Sequence, residues 1–427
     1  MNIKKVESSL VKESYYVIDH PSGLTIYVHP KEGYRSAYAI FGTNYGSVNT
    51  KFRVDGGDII SVPDGIAHYL EHKLFESEEG DAFVRYAATG ADANAYTSFE
   101  KTCYLFSCTD KFEESLEILL DFVQSPYFTE QTVAKEQGII GQEIKMYEDS
   151  PDWRVMFNTL VGMYHKHPVR IDIAGTVESI AEITAEKLYD CYNSFYNLHN
   201  MVLCVAGNTT PEQVIAVADR VLKTDKDQKV ENIFEDEPYE VASEYIEQKF
   251  PVSIPMFTLG FKQDASNGAK TSKELAYMNI LMDIFSSSSS KLYNELLNEG
   301  LINDTFSYEY MEGPGYAAIL FGGESRKPKE AAARIKESIV KFKEKGIDTE
   351  EFDIAKRAVY GTAIRSFNSS DKIANNMVDM HFNNRELFEY IEAVAGAKVS
   401  DIEKSLEQML DPDNCTLSVV CSEEQSV

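Results

Sequence analysis

Apolar residues recur along this chain with two periods. Short runs such as Leu24–Pro30 (LTIYVHP) and Lys101–Cys108 (KTCYLFSC) are rich in β-branched and aromatic residues and predict strands. Between them lie longer segments whose apolar positions return every three or four residues, the pattern of amphipathic helices. Thr129 can cap one such helix running to about Tyr147, with Val133, Ile140, Ile144 and Tyr147 as its apolar stripe. Ala185–Asn208 reads as a helix, a polar turn and an apolar strand at Met201–Ala206, and Ser400–Glu423 repeats that order, ending in a strand at Thr416–Val420. A second pair, KEQGIIGQEIKM (Lys135–Met146) and AKRAVYGTAIRS (Ala355–Ser366), is offset by about the same distance, roughly 220 residues. Two matches in one register predict a duplicated domain.

The stretch Lys223–Glu240 is charged and nearly free of apolar periodicity, which is linker composition. The predicted organisation is one domain over 1–228, a linker over 229–244 and a second, homologous domain over 245–427. Each domain is expected to be α+β, with helices covering one face of a mostly antiparallel sheet.

Composition narrows the possibilities. Of 427 residues, 43% are hydrophobic and 26% charged, a balance that supports packed cores and argues against disorder. No run of 18 apolar residues occurs, and the first residues lack the apolar core of a signal peptide. Six cysteines (103, 108, 191, 204, 415, 421) form no CxxC, which fits a reducing compartment, so the expected location is the cytoplasm. Lys+Arg 41 against Asp+Glu 69 gives a net charge of −28. A surface so acidic repels nucleic acid and anionic lipid, and both roles are set aside.

One segment carries chemistry. In Pro63–Glu76, PDGIAHYLEHKLFE, Asp64 is a plausible N-cap for the helix that follows. His68, Glu71 and His72 then stand at i, i+3 and i+4, on one helix face. Two imidazoles one turn apart can bind one zinc ion, and a carboxylate between them can polarise a water. This is HxxEH, which chance would produce in a chain with eight histidines at a rate of about 0.015. Zinc needs a third protein ligand, and Glu143 is the candidate. Glu136 and Glu143, two turns apart, both fall on the apolar stripe of the 129–147 helix, where an unpaired carboxylate is costly. At the duplicated positions stand Lys356 and Ala363, and the second copy of the first helix, around Ser286–Glu299, has no histidine. Only the first half can hold the metal.

Taken together, HYLEH, KEQGIIGQEI, ADANAYTSFEKTCY (Ala91–Tyr104), HPVRIDIAGTVESIAEIT (His167–Thr184) and FYNLHNMVLCVAGN resemble the pitrilysin/insulinase zinc peptidases, which include mitochondrial processing peptidase and many bacterial proteins. The resemblance covers nearly the whole chain. It implies that His68, His72 and Glu143 bind one zinc ion per chain, that Glu71 is the proton-transferring base, and that Glu136 is a supporting carboxylate of the catalytic site behind the ligands. It also implies that Asn94 and Ala95 lie beside a substrate peptide added as a strand to a sheet edge. The implied architecture is a clam-shell of two homologous domains, with short or unfolded peptides cleaved in a closed chamber.

The chain departs from the family in one place. Self-sufficient members carry an Arg and a Tyr close together in the second domain; here alignment of SSSSSKLYNELLNEGLINDTFSYEY places Leu297 and Asn303 there, with Tyr308 or Tyr310 as substitutes. The expected partner is therefore a paralogous subunit that lacks HxxEH and supplies the Arg and Tyr, giving a heterodimer. The alternative is a non-catalytic structural or peptide-binding subunit of the same fold. Other features read as structural: His165 and His167 in a turn, Cys103 and Cys108 on opposite strand faces, Trp153 as filling, and Ser286–Ser290 as a flexible hinge.

Overall fold

A computed structural model describes residues 1–423 except Glu79, Asp225 and Asn267. The fold is mixed α+β and forms two compact units, each assembled from separated stretches of chain. The first takes Met1–Ile144, Asp172–Ile233 and Ile364–Leu387; the second takes Lys145–Ile171, Phe234–Ala363 and Phe388–Val427.

In the first unit the main sheet runs, in spatial order, Asn2–Ser8, Glu13–Asp19, Thr25–Pro30, Met201–Gly207, Ala37–Thr43, Thr102–Cys108 and Asp92–Thr97. Met201–Gly207 is buried at every position, as an unbroken apolar run predicts for a central strand. It pairs parallel to Thr25–Pro30 and antiparallel to Ala37–Thr43. The second unit repeats this core: Tyr245–Lys249, Cys415–Cys421, Met256–Lys262, Tyr316–Glu324 and Ser307–Gly313. Its central strand, Cys415–Cys421, again has one parallel neighbour and one antiparallel neighbour. The duplication read from the sequence is thus a duplication of sheet topology.

The helices do not respect contiguous halves. Ser370–Phe382, late in the chain, belongs to the first unit and buries Ile373, Ala374, Met377 and Val378 over strands Met201–Gly207 and Ala37–Thr43. Gly42 lets this helix approach closely, since a Cβ there would lie 3.3 Å from Val378 Cγ1. Pro151–Met163 does the same on the sheet of the second unit. A charge on the Ser370–Phe382 face should therefore destabilise the first unit. Val378→Asp is expected to cost roughly 3 kcal/mol or more, because the carboxylate would be buried without a partner. Urea denaturation of the full chain checks this; an unchanged transition midpoint would contradict the packing.

One loop expectation is corrected, and the linker stretch has fixed contacts. The charged linker is tied down: Val230–Asn232 pairs with Lys51–Val54, and Glu237 accepts the amides of His165, Lys166 and His167 together with the Lys262 ammonium. Burial pushes the Glu237 carboxyl up, yet Lys262 and the three amides outweigh it and hold it down to about 2. The serine run is an ordered helix–helix turn. Ser286 ends one helix, and Ser290 caps the next by accepting the Tyr293 amide. Serine hydroxyls that satisfy helix-end amides turn a flexible composition into a fixed one.

His167 is structural, its ring placed between the Val169 amide and the Pro314 carbonyl. Trp153 stacks on Tyr147 at 4.6 Å. All six cysteines are free and buried. Among the described residues no helix is long and apolar enough to cross a membrane.

Candidate metal centre

The HxxEH segment forms the helix Ile66–Leu74, buried at nearly every position. Asp64 does not cap it. The N-cap is Gly65, in the left-handed region at φ 87°, and a Cβ there would sit 2.3 Å from the Ala174 carbonyl oxygen. Gly175 faces it from the other side, where a Cβ would meet the Asp64 carbonyl oxygen at 2.6 Å. The Asp64 carbonyl instead accepts the Ser179 hydroxyl at 2.9 Å. Packing of two backbones thus replaced the side-chain cap that propensity suggested.

The second ligand helix, Glu130–Glu148, begins as expected, with Thr129 Oγ1 accepting the Thr132 amide. Val133, Glu136, Ile140 and Ile144 are its buried face. The buried Tyr69 hydroxyl donates to the Val133 carbonyl and joins the two helices.

These helices bring His68, His72 and Glu143 together, with one donor atom from each lying within 4.8 Å of the others. His68 Nε2 is 3.7 Å from Glu143 Oε1, and His72 Nε2 is 3.5 Å from Glu143 Oε2. Both distances are long for hydrogen bonds. They suit donors around a single ion, because ligand atoms about 2.0–2.2 Å from a tetrahedral zinc stand roughly 3.3–3.6 Å apart. The donor set, two imidazole nitrogens and a carboxylate oxygen, fits zinc.

The protonation of His68 also fits. Burial pushes His68 down to about 4, with the neighbouring His72 adding to the effect, so its ring is neutral and keeps a lone pair. Its Nδ1 is buried with no hydrogen-bond partner among the described residues. Burial lowers His72 too, but the hydrogen bond its ring donates to Glu136 and the carboxylates of Glu71 and Glu143 outweigh it and raise the ring above its ordinary value. His72 Nδ1 lies 3.1 Å from Glu136 Oε1, and this bond holds the Glu136 carboxyl below its usual range. With Nδ1 engaged by Glu136, the lone pair of His72 is directed from Nε2 toward Glu143.

Glu71 is buried beside the cluster, and burial raises its carboxyl. Its Oε2 accepts the Thr97 hydroxyl at 2.8 Å. Thr97 is a residue the sequence reading missed; the available signal was period two, which puts Ala95 and Thr97 on one face of their strand. Asn94 and Ala95 lie on that same strand, Asp92–Thr97, which pairs with Thr102–Cys108 and forms the end of the sheet. Asn94 is exposed, and its Oδ1 accepts the Ala95 amide at 2.8 Å.

In the second unit, Leu297 is exposed, whereas Asn303 is committed to a turn, accepting the Thr305 amide and hydroxyl and donating to Glu324. Tyr308 donates to Asn279 and Tyr310 to Glu312.

This arrangement has known counterparts. Residues 47–177 match the family model "Insulinase (Peptidase family M16)", and residues 182–359 match "Peptidase M16 inactive domain". The uncharacterized zinc protease YmfH of Bacillus subtilis (strain 168) is 40% identical over 428 residues, covering 98% of this chain and 99% of that protein. The chain belongs to peptidase family M16. Within M16, the crystal structure of an M16-like peptidase from Alicyclobacillus acidocaldarius superposes with a TM-score of 0.92 at 36% identity, covering 98% of this chain and 100% of that one. A chain of complex III2 from Candida albicans shares the fold alone, with a TM-score of 0.75 at 12% identity and 96% of each chain covered.

Proposed function

We propose that this M16 chain is a zinc-dependent endopeptidase of the cytoplasm that cleaves short or unfolded peptides. One observation carries the reading: His68, His72 and Glu143 converge while a buried carboxylate, Glu71, stands alongside them. Residues 1–228 are read as the zinc domain and 245–427 as its homologous, metal-free counterpart. When bound, zinc supplies Lewis acidity to the scissile carbonyl and lowers the pKa of a water. Glu71 accepts the proton of the attacking water as the C–O bond forms, then delivers it to the departing amine as the C–N bond breaks. Burial raises its carboxyl and so strengthens its hold on a proton. Glu136 orients His72 and touches no reacting atom. The substrate peptide pairs with the edge strand at Asn94 and Ala95, main chain to main chain, which tolerates many sequences.

Stabilising the developing oxyanion needs further donors. Leu297 can offer none, Asn303 serves its turn, and Tyr308 and Tyr310 already donate to neighbours. A paralogous subunit lacking HxxEH is therefore proposed to supply an Arg and a Tyr in a chamber closed by both chains. Losing such a donor costs about 10²–10³ in turnover. The zinc-loaded chain alone should be that much slower than its mixture with the paralogue on a quenched fluorescent peptide. Replacing the partner's Arg should abolish the gain. Full turnover by this chain alone would remove the partner from the account. No turnover with either preparation would favour the second reading, a non-catalytic subunit, which the fold shared with a complex III2 chain supports.

A further inference from the structure

The hydroxyl of Thr97 is placed with more constraint than a surface strand residue needs. Thr97 and Thr102 form the last rung of the hairpin, and its turn is closed by the Ser98 amide donating to the Lys101 carbonyl at 2.8 Å. That turn is itself bonded to the loop that follows strand Ala37–Thr43: the amides of Ser47 and Val48 donate to the Ser98 and Phe99 carbonyls at 3.0 and 3.1 Å. Behind it, the fully buried Thr102 donates its only hydroxyl proton to the Tyr45 carbonyl at 2.8 Å. Thr102 Oγ1 lies 3.4 Å from Thr97 Oγ1 and has no second proton to offer it. Thr97 donates its proton to Glu71 Oε2 at 2.8 Å, the shorter of these two contacts of its hydroxyl.

We propose that Thr97 is a positioning residue that fixes the carboxylate of Glu71, holding Oε2 and leaving Oε1 to take the proton of the attacking water. This rests on the peptidase reading above. The reason is geometric. A glutamate side chain has three rotatable bonds, and a general base must present one oxygen within hydrogen-bond reach of its proton. A charge-assisted bond from a rigid donor removes the competing rotamers. The donor also belongs to the strand proposed to receive the peptide, three residues beyond Asn94. The oxygen that takes the proton and the edge that aligns the scissile bond therefore share one anchor, the hairpin of residues 92–108.

The experiment compares Thr97→Val and Thr97→Ser in the chain assembled with its paralogue. Valine matches the shape of threonine and removes the hydroxyl; serine keeps it. Thr97→Val should lower kcat by about 10- to 100-fold, the range expected for losing a hydrogen bond to a charged group, with KM and zinc content unchanged. Thr97→Ser should stay within about threefold of the parent. A crystal structure of metal-free Thr97→Val should show the Glu71 carboxylate turned away or in more than one orientation. A Thr97→Val protein that keeps its kcat, or whose Glu71 stays in place, overturns the proposal, as does loss of zinc, which would make Thr97 a scaffold residue. If the parent assembly cleaves no peptide, the peptidase reading fails, and the Glu71 orientation in the variant still decides the role of Thr97.

Discussion

His72→Ala should give a folded protein that retains well under one tenth of an equivalent of zinc after gel filtration. The same is expected of His68→Ala and Glu143→Gln. Structural and catalytic zinc sites need at least three protein ligands, and each substitution leaves two. Glu136, a neighbouring carboxylate, does not compensate: it is engaged with His72 Nδ1 and not with Nε2, the nitrogen that faces Glu143. Glu136→Gln forms the informative contrast. It removes the carboxylate behind a ligand and keeps all three ligands, so it should weaken zinc affinity by about 10–100-fold without abolishing it. Elemental analysis, with circular dichroism to confirm folding, decides the series. Near-stoichiometric zinc in Glu143→Gln would show that the third ligand is wrong and would turn attention to Glu136 or Glu148.

Glu71→Gln should keep zinc and lose turnover, by at least about 10²-fold in the assembled enzyme. The substitution is nearly isosteric and keeps an acceptor for the Thr97 hydroxyl, so the helix and the neighbouring ligands have no cause to move. What it removes is the oxygen proposed to take a proton. The two series are complementary: ligand variants lose the metal and therefore activity, whereas Glu71→Gln loses activity with the metal in place. A zinc-loaded Glu71→Gln protein with parental turnover would assign the proton transfer elsewhere.

Much of the site was legible because it is local. The spacing of His68, Glu71 and His72 places them on one face of any helix, whatever the helix packs against. The Glu130–Glu148 helix was legible for the same reason, through its apolar stripe, and the two carboxylates on that stripe stood out by their cost. The duplication was legible because both halves end in the same order of helix, polar turn and strand; Met201–Gly207 is an unbroken apolar run, and Cys415–Cys421 is its counterpart, interrupted by Thr416 and Ser418.

What failed or was invisible depended on distant neighbours. Asp64 has the propensity of an N-cap, but its position is governed by Gly65 against Ala174, more than a hundred residues away in the chain. The charged stretch before the second half has linker composition, and Glu237 nevertheless fastens it by four hydrogen bonds. An amphipathic stripe states that a helix is covered without stating by what. Hence no local pattern could place Ser370–Phe382 and Pro151–Met163 on sheets built from other parts of the chain.

By itself, then, the sequence determined the period of each element, the twofold repeat and the residue types able to bind zinc, since these follow from backbone geometry and side-chain chemistry within a few turns. Only the tertiary structure decided that Glu143 meets both histidines, that Glu136 reaches His72 Nδ1 and that Thr97 reaches Glu71. Those meetings join residues up to 75 positions apart, and their geometry is set by how helices and a sheet edge pack, which no local spacing encodes.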